Sequence, residues 1–341
     1  MARAHGGSAS KAIFPLLALA GWCSVVGDRP VSGGDVASLG KALFESGLIS
    51  TASCAHVETL TDASAATGTM ETAQLLRLAS DQRDAAGQIN LGVMCSTGDG
   101  VRMDLAESAR LFKLAADQGH AAAQYNLGMM YQTGNGIAKD TAQALRLYRL
   151  AVDQGHASAQ YNLAAMYCNG EGVAKDLAEA VRLCRLAANQ GHTEAQYRLG
   201  VMIYGGDGVA MDAAEAASLF RLAADKGHTS AQTDLGAMFS KGFPGVAKDA
   251  VEAVRLFRLA ADQGHTHAQF NLAVMHVLGE GVAINLKEAM RLFGLAADKG
   301  DPHARHSLRV MYILWMAAAW ILLYCFGVIG WGYDQLNPTE G

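Results

Sequence analysis

Five histidines, His120, His156, His192, His228 and His265, stand 36, 36, 36 and 37 residues apart. Imidazole is a common metal ligand and general base, so a regular ladder of them first suggests metal or acid–base chemistry. The spacing argues against it. Successive copies of a helical unit lie about 10 Å apart, whereas a histidine nitrogen binds zinc at about 2 Å. Each of the five follows a glycine, which points to a role in a turn. His303 and His306, at i and i+3, lack a third ligand. No metal and no cofactor are expected.

Other chemistry fails similar tests. The six cysteines (Cys23, Cys54, Cys95, Cys168, Cys184, Cys325) form no C-x-x-C pair and do not recur at the repeat period. They read as free thiols packed as small apolar residues, which favours a reducing compartment. There is no H-E-x-x-H and no G-x-S-x-G. A phosphate loop is excluded because Ala42 follows Gly40-Lys41 and Asp35 stands where a first glycine is needed. The loop acids Asp99, Glu171, Asp207 and Glu280 do not gather into one calcium loop. The chain is not expected to be an enzyme. With a net charge of −5 and 17% charged residues, it offers no basic patch for nucleic acid.

Binding chemistry remains. Asn90, Asn126, Asn162 and Asn271 occupy one position of the repeat, held elsewhere by Arg198 and Asp234. Such amides either hydrogen-bond an extended peptide or form an internal ladder with adjacent turns. Glu194 and His267 near the start of the same segment, and Tyr204, Ser240 and Val277 near its end, vary between copies and are specificity candidates. The arginines Arg146, Arg149, Arg182, Arg185, Arg255 and Arg258 form a stripe that acids three or four residues away compensate, among them Glu179 and Asp153. That is the pattern of a solvated helix face.

The elements that position these residues are short helices in tandem. In one copy Ala123, Leu127, Met130 and Tyr131 mark an apolar stripe, and Ala144, Leu147, Tyr148 and Ala151 mark a second. Gly134 and Gly136 supply the turn between them, and Gly155 ends the second helix. Asp140 with Gln143 reads as a capping box, repeated at Asp104/Glu107, Asp176/Glu179, Asp212/Glu215, Asp249/Glu252 and Asn285/Glu288. Gly92, Gly128, Gly200 and Gly236, with Ala164 and Ala273 in the other copies, predict close approach of a neighbouring helix. A second helix over Thr72–Gln82 precedes the six copies. A lone first helix follows, opening at Asp301-Pro302.

The consensus A-x-Y-N-L-G-x-M-Y-x-x-G-x-G-V-x-x-D-x-x-E-A-x-R-L-x-x-L-A-A-x-Q-G-H resembles the Sel-1-like repeat, a relative of the tetratricopeptide repeat. The resemblance implies an all-α solenoid of about seven antiparallel helix hairpins whose first helices line a concave face. It also implies an adaptor that binds a protein or an extended peptide, in endoplasmic-reticulum quality control or in bacterial signalling and host contact. Some relatives described as hydrolases carry a cysteine pair in each repeat, which this chain lacks. The expected partner-binding residues are Asn90, Asn126, Asn162, Glu194, Arg198, Tyr204, Asp234, Ser240, His267 and Asn271.

Two terminal segments complete the expectation. Residues 1–26 combine Arg3 and Lys11 with an apolar run from Ala12 to Val26 and read as a targeting signal. Residues 27–70 read as linker with one degenerate helix over Val36–Ser46, and the repeats occupy 71–312. Residues 310–333 carry no charge, and as a helix would measure about 36 Å against the ~30 Å hydrocarbon core. They are therefore expected to form a transmembrane helix, followed by a polar tail over 334–341. Arg305 and Arg309 before that span favour cytoplasmic repeats, whereas the signal favours lumenal ones. The expected localisation is a single-pass membrane protein with lumenal repeats, a soluble or secreted repeat protein being the alternative.

Overall fold

The computed structural model describes residues 68–336, which form fourteen α-helices. The targeting signal, the degenerate helix and most of the linker lie outside the described residues. Among the described residues no strand occurs, only one isolated bridge between Phe243 and Val246. The chain divides into two compact units between Asp176 and Leu177.

The first unit holds α1 (Gly68–Asp81), α2 (Ala85–Thr97), α3 (Leu105–Asp117), α4 (Ala121–Thr133), α5 (Thr141–Asp153) and α6 (Ala157–Asn169). The second holds α7 (Leu177–Asn189), α8 (Thr193–Gly205), α9 (Ala213–Ala224), α10 (Thr229–Lys241), α11 (Ala250–Asp262), α12 (Thr266–Leu278), α13 (Leu286–Asp298) and α14 (Pro302–Leu336).

The expected stripes are the packed faces. Ala123, Leu127 and Met130 of α4 and Ala144, Leu147, Tyr148 and Ala151 of α5 are all buried. Helix starts follow the capping residues. An Oδ1 atom accepts from the backbone N–H three residues on in Asp104, Asp140, Asp212, Asp249 and Asn285. The reciprocal half of the box differs from expectation where arginine follows. Glu107, Glu179, Glu252 and Glu288 turn outward to Arg110, Arg182, Arg255 and Arg291 instead. A charge-assisted pair with a guanidinium outcompetes a neutral N–H for the carboxylate. These pairs are exposed and stabilise by about 0.3–0.5 kcal/mol each.

Two devices join consecutive repeats. The first is a buried glutamine near the start of each first helix. In the first unit, Gln88 Nε2 donates to the Ser80 carbonyl at the end of α1 and Gln88 Oε1 accepts from Gln118. In the second, Gln196 Nε2 donates to the Ala188 carbonyl and Oε1 accepts from Lys226 Nζ. One amide thereby ties three successive helices. The second device is the later loop glycine, with φ from 67° to 79° at Gly136, Gly172, Gly208, Gly245 and Gly281. It lies against the start of the preceding second helix: Gly136 on Leu105, Gly281 on Ala250.

The C-terminal segment requires a correction. Asp301 caps α14 as expected, its Oδ1 accepting from the N–H groups of His303 and Ala304. Among the described residues, however, no helix is long and apolar enough to cross a membrane. The first turns of α14 belong to the repeat array: Ala304 is fully buried, and Leu308 and Met311 pack against the last hairpin. The membrane span over 310–333 and the single-pass localisation drawn from it are withdrawn.

Candidate functional site

In the second unit the first helices α8 and α10 lie on either side of α9 and enclose a pocket of about 230 Å³. Phe220 of α9 is buried and forms its floor. Tyr197, Val201 and Tyr204 of α8 form one wall, and Asp234, Ala237, Met238 and Lys241 of α10 the other. Phe243, in the loop after α10, closes one end.

The rings are mutually fixed. Tyr197 lies 5.7 Å from Phe220 and 4.5 Å from the His228 ring, centroid to centroid. Tyr204 meets Phe243 edge-on at 5.7 Å. Tyr197 OH donates to Asp234 Oδ2 at 3.0 Å. Burial pushes the Asp234 carboxyl above the usual carboxylate range, partly countered by the Tyr197 hydrogen bond. Burial and the neighbouring carboxylate push the Tyr197 phenol up to about 12. The pocket therefore presents π faces beside a half-buried carboxylate. That combination suits a cationic or hydrogen-bond-donating group.

A local sequence event builds this wall. Other repeats place one residue between the two loop glycines, as Asn135 between Gly134 and Gly136. Here Phe243 and Pro244 stand between Gly242 and Gly245. The extra residue bulges into a small closed turn, with Phe243 N–H donating to the Val246 carbonyl at 2.9 Å and Val246 N–H returning the bond at 2.8 Å. That turn presents the Phe243 ring to Tyr204.

The expected binding residues fall into three groups. Tyr204 and Asp234 line the pocket together. Glu194, outside the pocket lining, accepts from His228 Nε2 at 3.0 Å, and Arg198 is exposed on the same helix. His267 is exposed and packs edge-on against His265, while Ser240 donates to the Ala237 carbonyl. The asparagines make internal contacts where bonds are resolved. Asn90 Nδ2 donates to the Ala86 carbonyl and Asn162 Nδ2 to Tyr148 OH. Asn126 and Asn271 are half-buried at the equivalent positions. Tyr197, Phe220, Lys241 and Phe243 were missed by sequence reasoning. The single 37-residue step was the signal that could have found Phe243.

The ladder histidines are helix N-caps. In His156, His192 and His228 the Nδ1 atom accepts from the N–H three residues on, at 3.1–3.2 Å. His265 instead directs Nδ1 to Thr233 Oγ1. An Nδ1 acceptor requires its lone pair, so protonation abolishes the cap and places a positive charge at a helix N-terminus. Burial lowers the pKa of His192 and of His265. A lowered folded pKa gives stability that is full above the unfolded value of about 6.5 and is lost as pH falls through the folded one. Thermal stability is therefore expected to fall between pH 7.5 and 5.5, the His192 cap accounting for about 1 kcal/mol. Asp234, whose folded pKa is raised by burial, acts with the opposite sign. His192→Asn, a cap that does not titrate, should flatten this dependence in thermal melts across that range; an unchanged slope would remove His192 from the account.

The fold and the site together define a protein built of tandem antiparallel helix hairpins, with variable side chains on its first-helix face. The chain belongs to the Sel1 repeat family: the Sel1 repeat matches residues 85–120, 121–156, 157–192, 193–228, 229–265 and 266–301. It is similar to the solved structure of c5321, a protective antigen present in uropathogenic Escherichia coli strains displaying an SLR fold. The TM-score is 0.68 at 29% identity, covering 82% of this chain but only 57% of the antigen. It is also similar to a Sel1 repeat protein from Oxalobacter formigenes, with TM-score 0.60 and 26% identity over 77% of this chain and 96% of the other. Among curated proteins the sequence has no match.

Proposed function

We propose that the chain is a non-enzymatic scaffold that holds a segment of a partner protein along its first-helix face, with the α8–α10 pocket as the anchoring point. The observation that carries this reading is the pocket itself. A large ring, Tyr204, stands 39% exposed at its mouth, on a helix whose opposite face is buried and which also carries the exposed Arg198. A partly exposed tyrosine over a packed aromatic floor is one of the residue types that dominate binding energy at protein interfaces, and an exposed arginine on the same helix is another. Membership of the Sel1 repeat family and the two structural likenesses support the same class of function. The quality-control role, implied by the family resemblance and by the expected membrane arrangement, is not carried further now that the span is withdrawn.

Random peptides selected on the immobilised full chain test it. The double variant Arg198→Ala/Tyr204→Ala is expected to weaken the selected peptides by tenfold or more, the scale of one interface hot spot. Arg110→Ala/Arg146→Ala, on second helices, should leave them unchanged. If the loss follows the second-helix pair, the binding face is misassigned.

A further inference from the structure

We propose that the α8–α10 pocket is a seat for one arginine side chain of the bound segment. This rests on the reading of the first-helix face as the partner surface and names the chemistry that face selects. The pocket volume of about 230 Å³ suits a single long side chain. Tyr197, Tyr204 and Phe243 supply aromatic faces over the Phe220 floor. A guanidinium stacks on such faces and can hydrogen-bond in its own plane at the same time.

Asp234 supplies the charge. Its Oδ2 is taken by the Tyr197 hydroxyl, and Oδ1 is the acceptor that remains for a ligand. Among the described residues no lysine or arginine forms an ion pair with this carboxylate. Lys241 lines the same pocket but is exposed, so its ammonium is solvated at the mouth. The equivalent position in four other repeats is asparagine, and in α8 it is Arg198. The acid therefore coincides with the one repeat whose loop carries the extra aromatic residue.

The test titrates the full chain at pH 8 with acetyl-Gly-Arg-Gly-amide and with its citrulline counterpart, which keeps the shape and removes the charge. Binding is read from the tyrosine ring resonances, with Tyr204 assigned through Tyr204→Phe. The arginine peptide is expected to shift Tyr204, and the citrulline peptide to bind at least tenfold more weakly. Asp234→Asn should erase that preference. Should this variant unfold by circular dichroism, Phe243→Leu keeps the apolar volume, removes a ring, and should weaken the arginine peptide at least threefold. Equal binding of the two peptides, or an arginine preference that survives Asp234→Asn, overturns the assignment. If arginine leaves Tyr204 unshifted while selected random peptides still require Tyr204, the scaffold reading stands and the arginine seat falls.

Discussion

Replacing Gly281 by alanine is expected to cost about 3–4 kcal/mol, the largest loss expected at a glycine among the described residues. Two penalties combine. Gly281 has φ of 67°, a conformation that costs a residue with a Cβ about 1–2 kcal/mol. An added Cβ would also run into the backbone of Ala250 and Val251 at the start of α11, closer than real Cβ atoms approach. Backbone at a capped helix start cannot rotate aside as a side chain can, so the loop must lift from its neighbour and the inter-repeat contact is lost. Gly300→Ala is the control. Its φ is 93° and nothing lies within 4 Å of the added atom, so it should lose only the conformational part. Urea unfolding of both variants separates the terms; equal losses would mean that the contact between Gly281 and α11 contributes nothing.

A second large effect is expected at Gly200, where the sign depends on the size of the substitution. A Cβ there would lie 2.7 Å from Phe220 Cε1. Alanine in a helix interior gains about 1 kcal/mol of propensity over glycine, enough to offset a shift of the ring by a few tenths of an ångström. A later repeat already makes that exchange, with Ala273 buried in the same cluster as Phe293. Gly200→Ala should therefore be within about 1 kcal/mol of the parent. Gly200→Val should lose about 2–3 kcal/mol, because a branched side chain overfills a site where the Cβ alone already meets Phe220. Phe220 is the pocket floor, so the valine variant should also weaken the arginine peptide. Stability measured for both variants checks the size dependence; a valine variant as stable as the alanine one would show that Phe220 is free to move.

The repeat register, the two helices per copy, their caps and their closing glycines were legible before any coordinates. Each is set by contacts within about four residues or by a pattern copied six times. The glycine and alanine positions of the first helices were likewise read correctly as close approaches, because only a packing partner explains a helix-weakening residue held at one place. The reciprocal capping box misled because the same glutamate also reaches an arginine three residues on. The capping aspartate was visible, but which of two partners its glutamate takes was not.

The terminal apolar segment misled in a different way. Hydropathy over 310–333 reports composition alone, whereas among the described residues no helix is long and apolar enough to cross a membrane, and the turns just before that range pack on the last hairpin through Ala304 and Leu308. The buried glutamines were visible only as repeat starts. Their role depends on a carbonyl eight residues back and an amide or ammonium about thirty residues ahead, and local pattern reports neither.

By itself the sequence determined the architecture of this protein, since helix periodicity, caps and glycine turns are local and recur in register. Only the tertiary structure decided where binding chemistry gathers. Tyr204 and Asp234 were both recognisable as variable positions, yet they sit thirty residues apart, on different helices. They share one pocket because an extra loop residue turns Phe243 toward Tyr204 while α9 holds Phe220 beneath. Convergence of that kind follows from how neighbouring repeats stack, which depends on contacts far apart in the chain.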